Sequence, residues 1–321
     1  MARILILEGI SSVATDLLKR CHSVDQRLGA SRADTLARVK TYDAIIVRSL
    51  IQVDRELLDA APNLKIVGRA GVGTDNIDLD LARQRGVRVL TVAGGNAVSA
   101  AEFTIMQILN LIRNAYEAQN RVAAGDFRRA ELQGWDLSEL CVGIVGLGHV
   151  GSAVAKRLRP FGCRLIGYER SPDHPAFVEI DIECETDFNR LLGRVDVLTL
   201  HVPLTDQTRG ILSREALAQA KPGLFLVNTA RGGLVVDEAL LWALERDIVA
   251  GAALDVLSEE PPLDTPPGVV PYDHAFLGHP RIHVTPHMAA STHDCQHRIA
   301  VSLTEQMTVA LDEMALAEKM G

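Results

Sequence analysis

Short β-rich apolar runs alternate with helical patterns along almost the whole chain, and this alternation constrains the fold more than any other feature. Strands separated by helices of about ten residues pair parallel through right-handed βαβ crossovers. The first half reads as strands Arg3–Leu7, near Val24, Ala44–Val47, Leu64–Val67 and Val87–Leu90. Helices Ser12–Arg20, Arg32–Val39, Arg55–Ala60 and Leu79–Arg85 lie between them. From Cys141 the pattern restarts, with strands Val142–Val145, Arg164–Tyr168, near Val178, Val195–Leu200, Leu224–Asn228, Val249–Leu254 and Arg281–Val284. Their helices are Val150–Leu158, Asp187–Leu192, Arg214–Gln219 and Asp237–Glu245, and an amphipathic helix from Ser291 to about Ala317 closes the chain. Pro261–Gly268 is the one Pro-rich loop, too short for a linker.

Between the two halves, Ser99-Ala-Ala-Glu102 has the form of a capping box ahead of a helix running to about Ala123. Phe103, Ile105, Met106, Ile108, Leu109, Leu111 and Ile112 cover nearly its whole circumference, so it needs burial on more than one side. It reads either as a domain-connecting helix that also faces a second subunit, or as an interior helix of one domain.

Composition narrows the class. A length of 321 residues suggests two domains at roughly 150 each. Hydrophobic residues at 47% supply real cores and argue against disorder. Apolar stretches such as Ile248–Leu254 fall far short of the ~18 residues of a membrane span. Met1-Ala-Arg-Ile-Leu-Ile-Leu-Glu8 reads as a strand rather than a secretory leader. Five scattered Cys without CxxC spacing suggest neither a disulfide frame nor a zinc site, and with them a soluble, cytoplasmic protein is expected. With 33 basic and 41 acidic residues the net charge is −8, and a pI near 5.7 argues against nucleic acid as a partner.

Gly146-Leu-Gly148-His-Val-Gly151 follows one strand and opens the next helix, the context a dinucleotide fingerprint requires. The first glycine permits the tight turn, the second lets backbone approach a pyrophosphate, and the third lets helix pack on strand. Free N–H groups at the helix N-terminus then face the anion. Glu169 ends the following strand, 23 residues after Gly146, where a carboxylate accepts from ribose hydroxyls and repels a 2′-phosphate. NAD is therefore favoured over NADP. Arg170 beside it is a group that can accept a 2′-phosphate, although next to Glu169 it reads as a solvated loop cation.

Gly146, Glu169, His201, Arg231, Asp255, Glu260 and His287 all fall at, or a few residues past, the C-terminal ends of expected strands. That is the ligand edge of a doubly wound sheet. Singly, each has a structural reading: His201 or Asp255 as a cap, Arg231 before Gly232-Gly233 as a loop support. Together they make a chemical set. His287 has the near-neutral titration that an acid/base needs, and Glu260 on its other ring nitrogen would favour the imidazolium. Arg231 can bind a carboxylate bidentately while polarising the adjacent carbonyl. No metal is required, and the ten His show no HExxH spacing.

At these residues the chain resembles the D-isomer-specific 2-hydroxyacid dehydrogenase family, over essentially its whole length. The motifs are Val47-Arg-Ser49, Gly68-Arg-Ala-Gly-Val-Gly-Thr-Asp-Asn-Ile-Asp78, Gly95-Asn96 with Ser99-Ala-Ala-Glu102, and Gly146–Gly151. They continue with His201-Val-Pro-Leu204, Asn228-Thr-Ala-Arg-Gly-Gly233, Ala253-Leu-Asp-Val256, Glu259-Glu-Pro-Pro262 and Thr285-Pro-His287. The resemblance implies a Rossmann doubly wound sheet, residues 99–289, inserted into a smaller flavodoxin-like α/β substrate domain of residues 1–98 plus 290–321. This substrate domain would close over the cofactor domain, and the helix after Ser99 would lie at a homodimer interface. Arg231, Glu260 and His287 would form the catalytic set. Beyond the glycines, cofactor contacts would come from Val72, His149, Val150, Glu169, Arg170, His201, Val202, Pro203, Thr229, Ala230, Arg231, Asp255, His287, Ala289 and Ala290, with Asp255 near the nicotinamide carboxamide.

The implied substrate is a small anionic 2-hydroxy or 2-keto acid. Arg48, Arg69 and Arg129 match arginines that bind anionic groups in members acting on 3-phosphoglycerate, and Ser49, Gly71, Val72, Arg231 and His287 would share the substrate site. Reduction of hydroxypyruvate, glyoxylate or another 2-keto acid on the same scaffold is the rival reading, and a non-catalytic NAD-sensing scaffold a third. Departures are Glu169 where Asp is frequent and Val72 where Thr is frequent. A chain of 321 residues leaves no room for the regulatory domains of longer members, so serine feedback through one is not expected. Glu169→Ala is expected to weaken NAD binding and relax discrimination against NADP, read from dissociation constants for both cofactors.

Overall fold

In the computed structural model, described over residues 1–261 and 271–320, the chain divides into two units. Met1–Asn96 with Ser291–Gly321 form the first and Ala97–Ala290 the second. Most of the expected Pro-rich loop, Pro262 to Gly268, lies outside the described residues.

The first unit holds β1 (Arg3–Ile6), β2 (Ser23–Gln26), β3 (Ala44–Val47), β4 (Ile66–Arg69) and β5 (Arg88–Leu90). They form a wholly parallel sheet in the order β2-β1-β3-β4-β5, the flavodoxin-like order. Ile4, Leu5 and Ile6 are all fully buried, as a parallel strand covered on both faces demands. Gly68 lets the closing helix, His293–Met320, come close, because a Cβ there would sit 2.5 Å from Met307 Sδ.

The second unit holds β6 (Cys141–Val145), β7 (Arg164–Tyr168), β8 (Glu183–Glu185), β9 (Val197–Leu200), β10 (Leu224–Asn228), β11 (Val249–Leu254) and β12 (Ile282–Val284). Their order, β12-β11-β10-β9-β6-β7-β8, is that of a Rossmann sheet with one strand added beyond its sixth. Every pairing is parallel, so all seven C-terminal ends share one edge. Two apolar layers cover the two faces, one centred on Leu200, Leu226 and Leu240, the other on Ile108, Ile144 and Val154. The parallel pairing expected from the alternation is present, as are the doubly wound sheet and the flavodoxin-like sheet that the resemblance implied.

Three local expectations are corrected. The stretch near Val178 is not a strand but a helix, Ala176–Ile180, whose Ala176, Phe177 and Ile180 are buried at helical spacing while Val178 is 87% exposed. The strand is instead the Glu-Cys-Glu segment of β8, which carries no apolar run. Its backbone pairs with β7, and Glu183 is held by Arg164 at 2.6 Å.

The helix after residue 96 begins at Ala97, so Ser99 is a buried interior residue rather than an N-cap. Nor does that helix run unbroken to Ala123. It ends at Ile112, Asn114 takes a left-handed φ of 51°, and a second helix spans Ala115–Ala123. Asn is among the few residues that tolerate this conformation. Trp135 N–H donates to the freed Ile112 carbonyl at 2.9 Å and Asn114 Nδ2 to the Gln133 carbonyl at 3.1 Å, so the returning chain caps the break.

In the first unit His22 is buried, with neither ring nitrogen hydrogen-bonded. Burial lowers its pKa, opposed by Asp312 and reinforced by the N-terminal ammonium. A base with a depressed folded pKa leaves the protein with full stability above the unfolded value of about 6.5, and that stability is lost as pH falls below it. His22→Leu is therefore expected to raise the thermal midpoint at pH 5 more than at pH 8, measured by circular dichroism.

Candidate active site

The edge built by parallel pairing places the charged residues. β6 and β9 are the neighbours at which the strand order reverses, and the glycine turn follows β6 directly. Gly146 has φ +91°, and a Cβ on it would lie 2.8 Å from Val202 Cγ1. A Cβ on Gly151 would meet the Gly146 carbonyl at 1.9 Å, so this glycine is dictated by helix-on-strand packing. Gly148 differs: a Cβ there meets nothing within 4 Å. It precedes the helix His149–Leu158, whose first turn has no side-chain cap. An open cradle before an uncapped helix end fits a pyrophosphate, which the helix dipole and N–H groups favour. Glu169, just past β7, accepts from Leu147 N–H at 2.5 Å through Oε1, which braces the glycine turn and ties this carboxylate to it. Arg170 is exposed and its Nη1 donates to Gln207 Oε1. These residues fit NAD.

Past β9, His201 Nε2 is 2.9 Å from Thr199 Oγ1, and burial pushes its imidazole down to about 3, so it is neutral at physiological pH. Val202 and Pro203 follow it in the same loop. Past β10, fully buried Asn228 shapes the next loop: its Oδ1 accepts from Ala230 N–H at 3.1 Å and its Nδ2 donates to the Arg231 carbonyl at 2.8 Å. Thr229 is anchored by Thr104, Oγ1 to Oγ1 at 2.8 Å. Arg231 leaves this loop with extended backbone, Nη1 donating to the Ala230 carbonyl at 2.7 Å.

Past β11 stands Asp255, 1% exposed. Its Oδ1 accepts from Thr285 Oγ1 at 2.6 Å and from Met288 N–H at 2.9 Å, its Oδ2 from Ala289 N–H at 2.7 Å, and its carbonyl from His287 N–H at 2.8 Å. Burial raises its pKa, and these hydrogen bonds oppose the rise. The carboxylate thus holds the loop that follows β12 and runs through Ala290. Between its anchor points His287 adopts φ +53°, a left-handed conformation uncommon for a non-glycine residue.

His287 Nδ1 lies 2.9 Å from Glu260 Oε2, and Glu260 Oε1 accepts from Leu257 N–H at 3.1 Å. The hydrogen bond to Glu260 raises the His287 pKa. Burial opposes that rise, Coulomb attraction to Glu260 and Asp255 reinforces it, and Arg231 works against it. The site thus joins a carboxylate-supported imidazole and a guanidinium close enough to perturb it.

The candidate substrate residues divide between the units. In the first, Arg48 and Ser49 follow β3 and Arg69 ends β4, on that sheet's own C-terminal edge. Glu8, 8% exposed, accepts from the backbone N–H groups of Arg48, Ser49, Leu50 and Ile51 at 2.6 to 3.2 Å. Asn76 Nδ2 donates to the carbonyls of Arg48 and Ile51. Arg69 folds over Gly71, where a Cβ would lie 1.3 Å from its Nη1, and Val72 is exposed beyond. Arg129 belongs to the second unit, exposed ahead of a short turn of 3-10 helix. Glu8, Asn76, Asn228 and Thr285 escaped the sequence reading as site residues. Glu8 and Asn76 bind backbone groups of a distant loop, Asn228 binds its own loop two and three residues on, and Thr285 binds the Asp255 carboxylate; only their places at strand ends or inside a motif signalled them.

A Rossmann sheet with an open glycine cradle, Glu169 past β7 and the His287–Glu260 pair past its later strands is the architecture of a dinucleotide-binding domain. The sequence pattern of the D-isomer specific 2-hydroxyacid dehydrogenase NAD binding domain matches residues 105–289, and the chain belongs to that family. It is 38% identical to a D-3-phosphoglycerate dehydrogenase of Archaeoglobus fulgidus over 95% of its own length and 56% of the relative's. The chain thus spans little more than half the length of the curated relatives it matches. Among solved structures, a protein of Thermus thermophilus superposes with a TM-score of 0.84 at 33% identity, covering 97% of each chain. A D-lactate dehydrogenase of Aquifex aeolicus, complexed with NAD and lactic acid, does so at 0.83 and 25%, covering 97% of this chain and 96% of that one.

The glycine geometry separates folding from binding. Gly151→Ala is expected to lower the unfolding midpoint markedly. Gly148→Ala is expected to melt as the unsubstituted protein does while losing NADH affinity, read by thermal unfolding and nucleotide fluorescence.

Proposed function

We propose that the chain is an NAD-dependent dehydrogenase of D-2-hydroxy acids whose substrate pair is 3-phosphoglycerate and 3-phosphohydroxypyruvate. The His287–Glu260 pair at 2.9 Å, beside Arg231 on the edge that carries the glycine cradle, is the observation that bears the chemistry. The names of the curated relatives support the substrate. Bound NAD(H) supplies or accepts the hydride. Arg231 holds the substrate carboxylate and polarises the adjacent carbonyl. In reduction the His287 imidazolium donates the proton that converts carbonyl to hydroxyl, and in oxidation the neutral ring takes it back. Glu260 keeps Nδ1 engaged, so the proton moves at Nε2. Arg48 and Arg69, with Arg129, supply the cations for a second anionic group, against the net charge of −8.

Reduction of glyoxylate, hydroxypyruvate or another 2-keto acid is the second reading, favoured by the likeness to the D-lactate dehydrogenase. Steady-state rates on both substrate types separate the two, and no oxidation of 3-phosphoglycerate at high pH would eliminate the first. The chain is further proposed to work as a homodimer. The helix Ala115–Ala123 buries none of its residues, and the stretch after it exposes Phe127 at 78% and Trp135 at 59%, the kind of apolar surface a subunit covers. A cytoplasmic setting belongs to the same proposal, in keeping with five free thiols. Among the described residues no helix is long and apolar enough to cross a membrane.

Because the His287 pKa is raised, the imidazolium and with it keto-acid reduction persist above the ordinary histidine range and fall as pH climbs through that raised value. Oxidation rises over the same interval. Glu260→Gln is expected to move both limbs to lower pH. His287→Ala is expected to cost about 10²- to 10⁴-fold in kcat, measured by NADH absorbance; unchanged turnover would leave a scaffold role.

A further inference from the structure

The four residues Leu257 to Glu260, which carry the carboxylate facing His287, have almost no regular structure of their own. Three neighbours hold them. Gly232, next to Arg231, lies against them so closely that a Cβ would meet the Leu257 carbonyl at 1.9 Å. Tyr272 OH donates to the Glu259 carbonyl at 2.6 Å. Ser258 Oγ donates to Asp237 Oδ2, also at 2.6 Å.

Asp237 is the fixed point of this set. It is the first residue of the helix Asp237–Glu245, where the helix dipole favours a carboxylate. The same Oδ2 is 3.2 Å from His274 Nε2, on a side chain only 8% exposed. Phe276 N–H donates to His274 Nδ1 at 3.3 Å, which makes Nδ1 the acceptor and assigns the ring proton to Nε2. Phe276 itself is 1% exposed and belongs to the core. One carboxylate oxygen thus ties the loop's serine to a histidine whose tautomer the core sets.

We infer that Asp237, acting through Ser258, is a positioning residue for Glu260: it holds the Leu257–Glu260 loop so that the Glu260 carboxylate stays on His287 Nδ1. The inference rests on the acid/base role proposed for His287. Among the described residues Asp237 makes no hydrogen bond or ion pair with His287 or Glu260. Its effect passes along Ser258, the loop backbone and Glu260. The groups that face His287 directly are Glu260, Asp255 and Arg231.

The test uses the full chain with Ser258→Ala, Asp237→Ala and Asp237→Asn. The His287 imidazole is titrated by NMR without substrate, its resonance assigned by His287→Gln, and NADH binding and keto-acid reduction are followed in parallel. Ser258→Ala and Asp237→Ala are expected to shift the His287 midpoint to lower pH and reduce kcat by about 10- to 100-fold, the scale of a misplaced catalytic group, with NADH affinity kept. Asp237→Asn, whose amide oxygen still accepts from Ser258 and His274, is expected to recover much of both. A thermal melt identifies any variant that fails to fold, and Ser258→Ala, which removes one hydroxyl, carries the result if Asp237→Ala is lost. An unmoved midpoint and unchanged kcat in Ser258→Ala overturn the inference. The NMR titration needs no turnover, so it decides this point even if His287→Ala keeps its activity and the proposed function fails.

Discussion

The second unit's site hangs on one buried carboxylate. Asp255 sits at the end of a strand surrounded by apolar side chains, where an unpaired charge would be costly. It is tolerated because a hydroxyl and two backbone N–H groups from the loop after β12 converge on it, and its carbonyl takes a third N–H, that of His287. Those bonds bend the chain so that His287 stands in a left-handed conformation it would not choose alone. Burial works against the carboxylate, and the hydrogen bonds from the loop offset that cost while tying the loop to the strand end.

The first unit repeats the device. Glu8, at the end of its first strand region, gathers four consecutive backbone N–H groups after β3, and Asn76 takes two carbonyls of the same loop. A loop with so many backbone groups away from water needs partners for all of them, and two side chains from distant segments provide most. Each sheet, taken by itself, thus has a loop at its C-terminal edge pinned by a side chain from a distant segment: the loop of Arg48 by Glu8 and Asn76 in the first, the loop of His287 by Asp255 in the second.

Much of this was legible from residue order. Alternating strands and helices imply parallel pairing, and parallel pairing puts every C-terminal end on one edge, so residue order alone groups His201, Arg231, Asp255 and His287. Errors fell where local pattern and tertiary demand part. The strand of Glu183–Glu185 is polar because it lies at a sheet edge and is held by arginines, so no hydrophobic period marks it. Ser99-Ala-Ala-Glu102 has the spacing of a capping box, yet the helix begins earlier and buries the serine. Nothing in the helical run before Asn114 announces the break there, because it is set by Gln133 and Trp135 returning along the chain.

Sequence alone determined the two parallel sheets, the glycine turn, and the residue types gathered at the strand ends, because periodicity and short-range spacing encode them directly. It also carried the resemblance to one dehydrogenase family. Only the tertiary structure decided which glycines answer to packing and which to open space, and that Asp255 holds a loop. The same holds for the anchoring of the Glu260 carboxylate through Ser258 and Asp237. The two anchored loops depend on contacts between segments 21 and 34 residues apart, where the free energy lies in the satisfaction of buried polar groups and no local pattern records it.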